Sequence, residues 1–132
     1  MSSLFVKANV NPKGNKACDC VVRAMVTATN EKWEDIYTGL CKLGLEMYDM
    51  PNSKPVWKKY MDNRGFIKNS IKVTKGSKRP TVESFTKEHK LGTYILSVAG
   101  HLTVCKDGKY IDSWDCGSKS LYGLMQIRIR NV

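Results

Sequence analysis

The sequence contains no apolar run approaching the ~18 residues that a membrane-spanning helix requires. Its first segment, MSSLFVKANVNPKGNK, has no long apolar stretch of the kind that opens a secretory signal. A soluble, cytoplasmic protein without a membrane partner is therefore expected. Acidic residues are scarce, with 12 Asp and Glu against 22 Lys and Arg, so the formal charge is +10 and the pI is near 9.5. That imbalance permits attraction to nucleic acid, to anionic surfaces or to an acidic protein, and charge alone selects none of them. Repeats, linkers and low-complexity segments are also missing, and 132 residues suit a single domain, residues 1–132, that buries about two-thirds of its unfolded surface.

Paired cysteines are lacking as well. The five cysteines, Cys18, Cys20, Cys41, Cys105 and Cys116, are odd in number, which points to free thiols in a reducing compartment rather than a disulfide framework. Cys18 and Cys20 are separated by one residue instead of the two to four usual in zinc sites, and no second close pair follows, so neither a metal nor a cofactor is expected.

What is present divides into two halves. Residues 18–29, CDCVVRAMVTAT, place Val21, Val22, Ala24, Met25, Val26 and Ala28 at helical spacing. Asn30 reads as the cap of a second helix over 31–49, whose Trp33, Ile36, Tyr37, Leu40, Leu43 and Met47 form one apolar face. Ser53 and Pro55 open a third helix that Gly65 closes. FIKNSIKV at 66–73 is a strand candidate, KVTKGSKRP at 72–80 a solvated loop, and Thr81 with Ser84 marks the start of a short helix. Beyond it, TYILSVAG, HLTVCKD, KYIDSWD and LMQIRIRNV alternate at strand spacing. Helices first and strands last predict an α+β fold, with the helices on one face of a C-terminal antiparallel sheet.

The hairpin at 100–114 carries the chemistry. An Asp-Gly turn at 107–108 makes Lys106 face Lys109, Cys105 face Tyr110 and Thr103 face Asp112, so His101 lies diagonally from Asp112 on one sheet face. An imidazole steadied by a carboxylate is the orienting half of a nucleophilic site. Of the cysteines, Cys18 falls with Val22 and Met25 and reads as packing, whereas Cys20 lies in the first helical turn, where unpaired N–H groups and the helix dipole favour a thiolate. Asp19 and Arg23, four residues apart, read by spacing as a solvated ion pair. Trp33, Trp57 and Trp114 are expected in the core or at its edge, with Trp114 placed to shield the imidazole.

The segments CDCVVRA and GTYILSVAGHLTVCKDGKYIDSWD resemble small phage-type proteins with a papain-like cysteine peptidase fold, distantly similar to the bacteriocin-processing peptidases of ABC exporters. The resemblance implies a papain-like fold and a peptide or isopeptide substrate cleaved in the host cytoplasm, with Asp19-Cys20, His101 and Asp112 filling the motif positions. Its Asp-Cys-x-x-Arg pattern gives Arg23 an equal reading as structural support near the site. Where that family has a glutamine about six residues before the cysteine, this chain has Gly14, and Asn15 is the expected substitute for the oxyanion role. The family's Asp-Pro is replaced by IDSWD, which makes Asp115 a rival to Asp112. The alternative is a catalytically inactive basic protein of the same fold that engages nucleic acid or an acidic host protein, for example as an inhibitor of host defence.

Overall fold

The computed structural model describes residues 3–69, 76 and 78–127. It is an α+β fold of four helices and a six-stranded sheet. Helix α1 (Cys20–Thr29), α2 (Trp33–Met47) and α3 (Lys54–Asn63) come first. A hydrogen-bonded αL cap at Asn30 (φ 60°) ends α1, so this residue closes the first helix instead of opening the second. The two glycines of α2, which lower its intrinsic helicity, sit where neighbours crowd it: a Cβ on Gly39 would lie 2.8 Å from the Tyr60 ring of α3, and one on Gly44 2.8 Å from the Asp49 carbonyl oxygen.

The sheet order is β1-β5-β4-β3-β6-β2, with β1 (Phe5–Lys7), β2 (Ile67–Asn69), β3 (Thr93–Val98), β4 (His101–Lys106), β5 (Lys109–Asp112) and β6 (Gly123–Gln126). Strands β3, β4 and β5 form an antiparallel meander, but the fourth C-terminal strand, β6, pairs with β3 instead of continuing from β5. The Asp107-Gly108 turn, both residues at positive φ, pairs Lys106 with Lys109 and Cys105 with Tyr110 as the turn type requires. Two further expectations are corrected. The start of the chain is not wholly irregular, because β1 pairs in parallel with β5 and makes the sheet mixed. Nor do all helices share a face. Val21, Met25, Ile36, Leu40, Val56 and Met61 from α1 to α3 pack with Ile95, Leu102, Val104 and Met125 on one face. Helix α4 (Val82–Glu88) packs Val82 and Phe85 with Leu96, Val98, Cys105, Tyr110 and Leu121 on the other.

Thr81 caps α4 through the reciprocal bonds its sequence suggests, with the Ser84 N–H donating to Thr81 Oγ1 and the Thr81 N–H to Ser84 Oγ. The strand expected over 66–73 is present as β2 in its described half, while residues 70–73, most of the loop over 72–80 and the end of the LMQIRIRNV strand lie outside the described residues. Among the described residues, no helix is long and apolar enough to cross a membrane.

Candidate active site

The sheet and α1 converge on a cavity of about 620 Å³ whose walls include Cys20 from the first turn of α1 and His101 from the first residue of β4. Gly100, at φ 67°, completes the two-residue turn from β3 to β4 that pairs Val98 with His101 and aims the imidazole from the strand start. His101 Nε2 donates to Asp112 Oδ2 at 2.6 Å, and both side chains are largely shielded from water. With Nε2 engaged, Nδ1 is the nitrogen left for the thiol. The exposed Trp114 ring packs against the imidazole, with ring centroids 5.0 Å apart and planes tilted by 46°.

Burial opposes charge on each of these groups, and the partners outweigh it. Burial lowers the His101 pKa, but the side chains of Asp112, Cys116 and Cys20 push it up to about 11. Burial raises the Cys20 thiol, while the His101 side chain, the Leu102 backbone and the charges of His101 and Arg23 bring it below the ordinary thiol value. The Asp112 carboxyl, also raised by burial, is held below the usual carboxylate range by His101, Thr103 and the Ser113 backbone. All three shifts favour a thiolate and imidazolium backed by a carboxylate, the charge arrangement that activates a cysteine nucleophile.

Behind this triad runs a second row of polar groups. Arg23 spans two buried carboxylates, its Nε donating to Asp19 Oδ1 at 2.8 Å and one Nη to Asp112 Oδ1 at 3.1 Å. The same Nη reaches Ser113 Oγ. Asp19 Oδ2 accepts from Asn11 Nδ2 and Trp33 Nε1. These bonds hold its carboxyl low against the opposing effect of burial. The solvated reading of the Asp19 and Arg23 pair is thereby set aside: the pair connects the start of α1 to the end of β5. Asn11 also shapes the loop before α1, where its Oδ1 accepts from the N–H groups of Lys13 and Asn15. Asn11 and Trp33 had no functional mark in the sequence, because their roles depend on contacts between separate elements.

The remaining sequence candidates are sorted by position. Cys18 is exposed and lines the cavity with Cys20, since α1 begins after it; it is not core packing. Asp115 accepts from Tyr110 Oη at 2.6 Å and from the Gly117 N–H, so Asp112 alone holds the imidazole. Asn15 lines a different cavity, beside Gly14, Lys16 and Ser113, and is not brought to Cys20 and His101. The side-chain amide lining their cavity is Asn52, from the loop before α3. All five cysteines are free.

One trio has metal-ligating chemistry, since His101, Asp112 and the buried Cys116 bring donor atoms within 4.8 Å of one another. Two ligand atoms, each about 2.0–2.1 Å from a tetrahedral zinc, stand about 3.3 Å apart. The His101 and Asp112 atoms are separated by 2.6 Å and Asp112 Oδ1 is already held by Arg23, so the trio is arranged for proton sharing. Compared with protein families, curated proteins and solved structures, the chain matches none.

Proposed function

We propose that this protein is a cysteine peptidase-like hydrolase of papain-like fold, phage-encoded as its sequence resemblance implies, acting on a peptide or isopeptide bond through Cys20, His101 and Asp112. The observation that carries this reading is the 2.6 Å bond from His101 to Asp112 at the wall of a cavity that Cys20 also lines. Cys20 Sγ attacks the carbonyl carbon, and the oxyanion is received by the unpaired N–H groups at the start of α1 and by the Asn52 amide. His101 gives its proton to the leaving amine, which departs as the C–N bond breaks and leaves an acyl-thioester on Cys20. A water then loses a proton to His101 and attacks the thioester carbon, and as the C–S bond breaks the carboxylic acid is released and the thiolate and imidazolium are restored. Asp112 keeps the ring in its orientation throughout.

Alkylation separates this reading from that of an inert scaffold. Iodoacetamide at pH ~6, where an ordinary thiol of pKa ~8.5 is almost wholly protonated, is expected to modify Cys20 ahead of Cys18 and Cys41, as read by peptide mass spectrometry. His101→Ala is expected to remove that preference while leaving the Cys18 rate unchanged. Equal labelling of exposed Cys18 and Cys20 at this pH would favour the alternative, a basic binding protein of the same fold. The rate profile itself is a second prediction: the acid limb for Cys20 should lie below the ordinary thiol range, because its pKa is lowered by His101 and Arg23 despite burial.

A further inference from the structure

The active-site cavity does not end at the thiol. Lys54, Trp57, Ser97, Leu102 and Tyr122 line it and also line a second cavity of about 240 Å³ between α3, β3 and β6. The two share a wall and form one groove running from Cys20 to the sheet edge at β2. In the second arm, Lys58 joins Lys54 from the next turn of α3, and Lys68 approaches from β2. Three ammonium groups thus converge on one small space. The residues lining either arm include no Asp or Glu. Among the described residues, no carboxylate lies within ion-pair distance of Lys54, Lys58 or Lys68, although Arg23, Arg64 and Lys87 have such partners.

Clustering like charges is unfavourable, and it bears on one member in particular. Desolvation, the neighbouring Lys68 and the charge of Lys54 together hold the Lys58 ammonium below the usual lysine value. Among the described residues no carboxylate relieves this crowding, and an anion in the groove would. The floor of the arm, Ile95, Leu102, Leu124 and Met125, is aliphatic; Trp57 is only 7% exposed, and the exposed Tyr122 ring already has the Arg79 guanidinium 4.6 Å from its centroid. An apolar floor beside a ring of amines fits the methylenes and carboxylate of an acidic side chain.

We propose that this arm of the groove binds a carboxylate-bearing side chain, Asp or Glu, of the peptide whose carbonyl meets Cys20, with Lys54, Lys58 and Lys68 as its recognition groups. The inference rests on the peptidase reading and adds a substrate class to it.

Peptidyl acyloxymethyl ketones test it, because the thiolate forms a thioether with the ketone methylene and expels a carboxylate, which makes Cys20 labelling a readout for any peptide sequence. A set varying one position at a time between Glu and Gln is expected to contain a position at which Glu labels Cys20 about tenfold faster at low salt. That ratio should fall to about one at high salt, and in a Lys58→Glu/Lys68→Glu variant it should drop to one or below. A ratio near one at every position, or one that survives the charge reversal, overturns the proposal, while His101-dependent iodoacetamide labelling leaves the catalytic reading standing. If Cys20 shows no such labelling, the groove is tested by fluorescence anisotropy with a Glu-rich peptide and with an oligothymidylate of equal charge. Tighter peptide binding, lost in the Lys58→Gln/Lys68→Gln variant, supports an acidic-peptide groove without catalysis. Tighter oligonucleotide binding, lost in the same variant, overturns it in favour of a nucleic-acid surface.

Discussion

Replacing Arg23 by alanine is expected to lower the unfolding free energy by about 3–5 kcal/mol, read from urea unfolding at neutral pH. The side chain is 13% exposed and holds Asp19 and Asp112, whose side chains are 7% and 2% exposed, so its removal leaves two buried carboxylates without their shared cation. A domain of this size has only about 5–15 kcal/mol in total, so the variant should stand near the edge of folding. Arg23→Lys should recover part of the loss, since one ammonium cannot serve two carboxylates through separate nitrogens. As a contrast, Lys87→Ala breaks a pair with Glu83 that is 64% and 37% exposed, and the expected cost is under about 1 kcal/mol.

The same network sets the response to acid. Burial raises the Asp19 and Asp112 carboxyls, but Arg23, His101 and their other partners leave both below the unfolded value. Their contribution is present above about pH 3.9 and is lost as the pH falls through the folded values. His101 has the opposite sign. Its folded pKa of about 11 lies above the unfolded 6.5, so its contribution is complete below pH 6.5 and disappears as the pH rises toward 11. Urea midpoints across pH should therefore fall on the acid side through the aspartates and on the alkaline side through His101. Asp112→Asn should flatten both limbs.

Asp112→Asn also carries the largest expected effect on chemistry, a loss of about 10⁴-fold in turnover of an amide substrate. The asparagine fills the same space but no longer accepts the Nε2 proton as a charged partner, so the imidazolium loses the contact that favours it. A structural defect alone would lower the amount of active protein without moving its pH profile. Loss of positioning should instead carry the acid limb of Cys20 labelling toward the ordinary thiol range, because the imidazolium that depresses the thiol is then less populated.

How much of this was legible beforehand varied with distance along the chain. The register of the β4 and β5 hairpin followed from Asp107-Gly108 alone, since a two-residue turn leaves no freedom in which side chains face each other. That local rule sufficed to bring His101 to Asp112. The Thr81 cap was similarly readable from two residues three apart. Asn30 was misread because an αL asparagine and an N-capping asparagine are the same letter between two helices, and only the backbone angle separates them. Cys18 was misread because the helical periodicity does not show where the first turn starts, two residues later than the apolar pattern suggests. Asn11 and Trp33 were invisible as site residues, since what defines them is a shared carboxylate on a third segment. Strand β1 is three residues long and its partner is β5, near the other end of the sequence, so no local pattern could reveal it.

That short strand has a consequence for how the protein becomes competent. Lys7 is registered beside Asp112, and the Ala8 N–H donates to the Asp112 carbonyl at 2.8 Å, so the backbone bearing the aspartate is fastened by a segment far away in the sequence. Closing so long a loop costs entropy that local hairpins avoid, and such contacts form late in folding. The hairpin brings His101 to Asp112 locally, but the backbone that bears the aspartate is steadied only once this distant strand has paired.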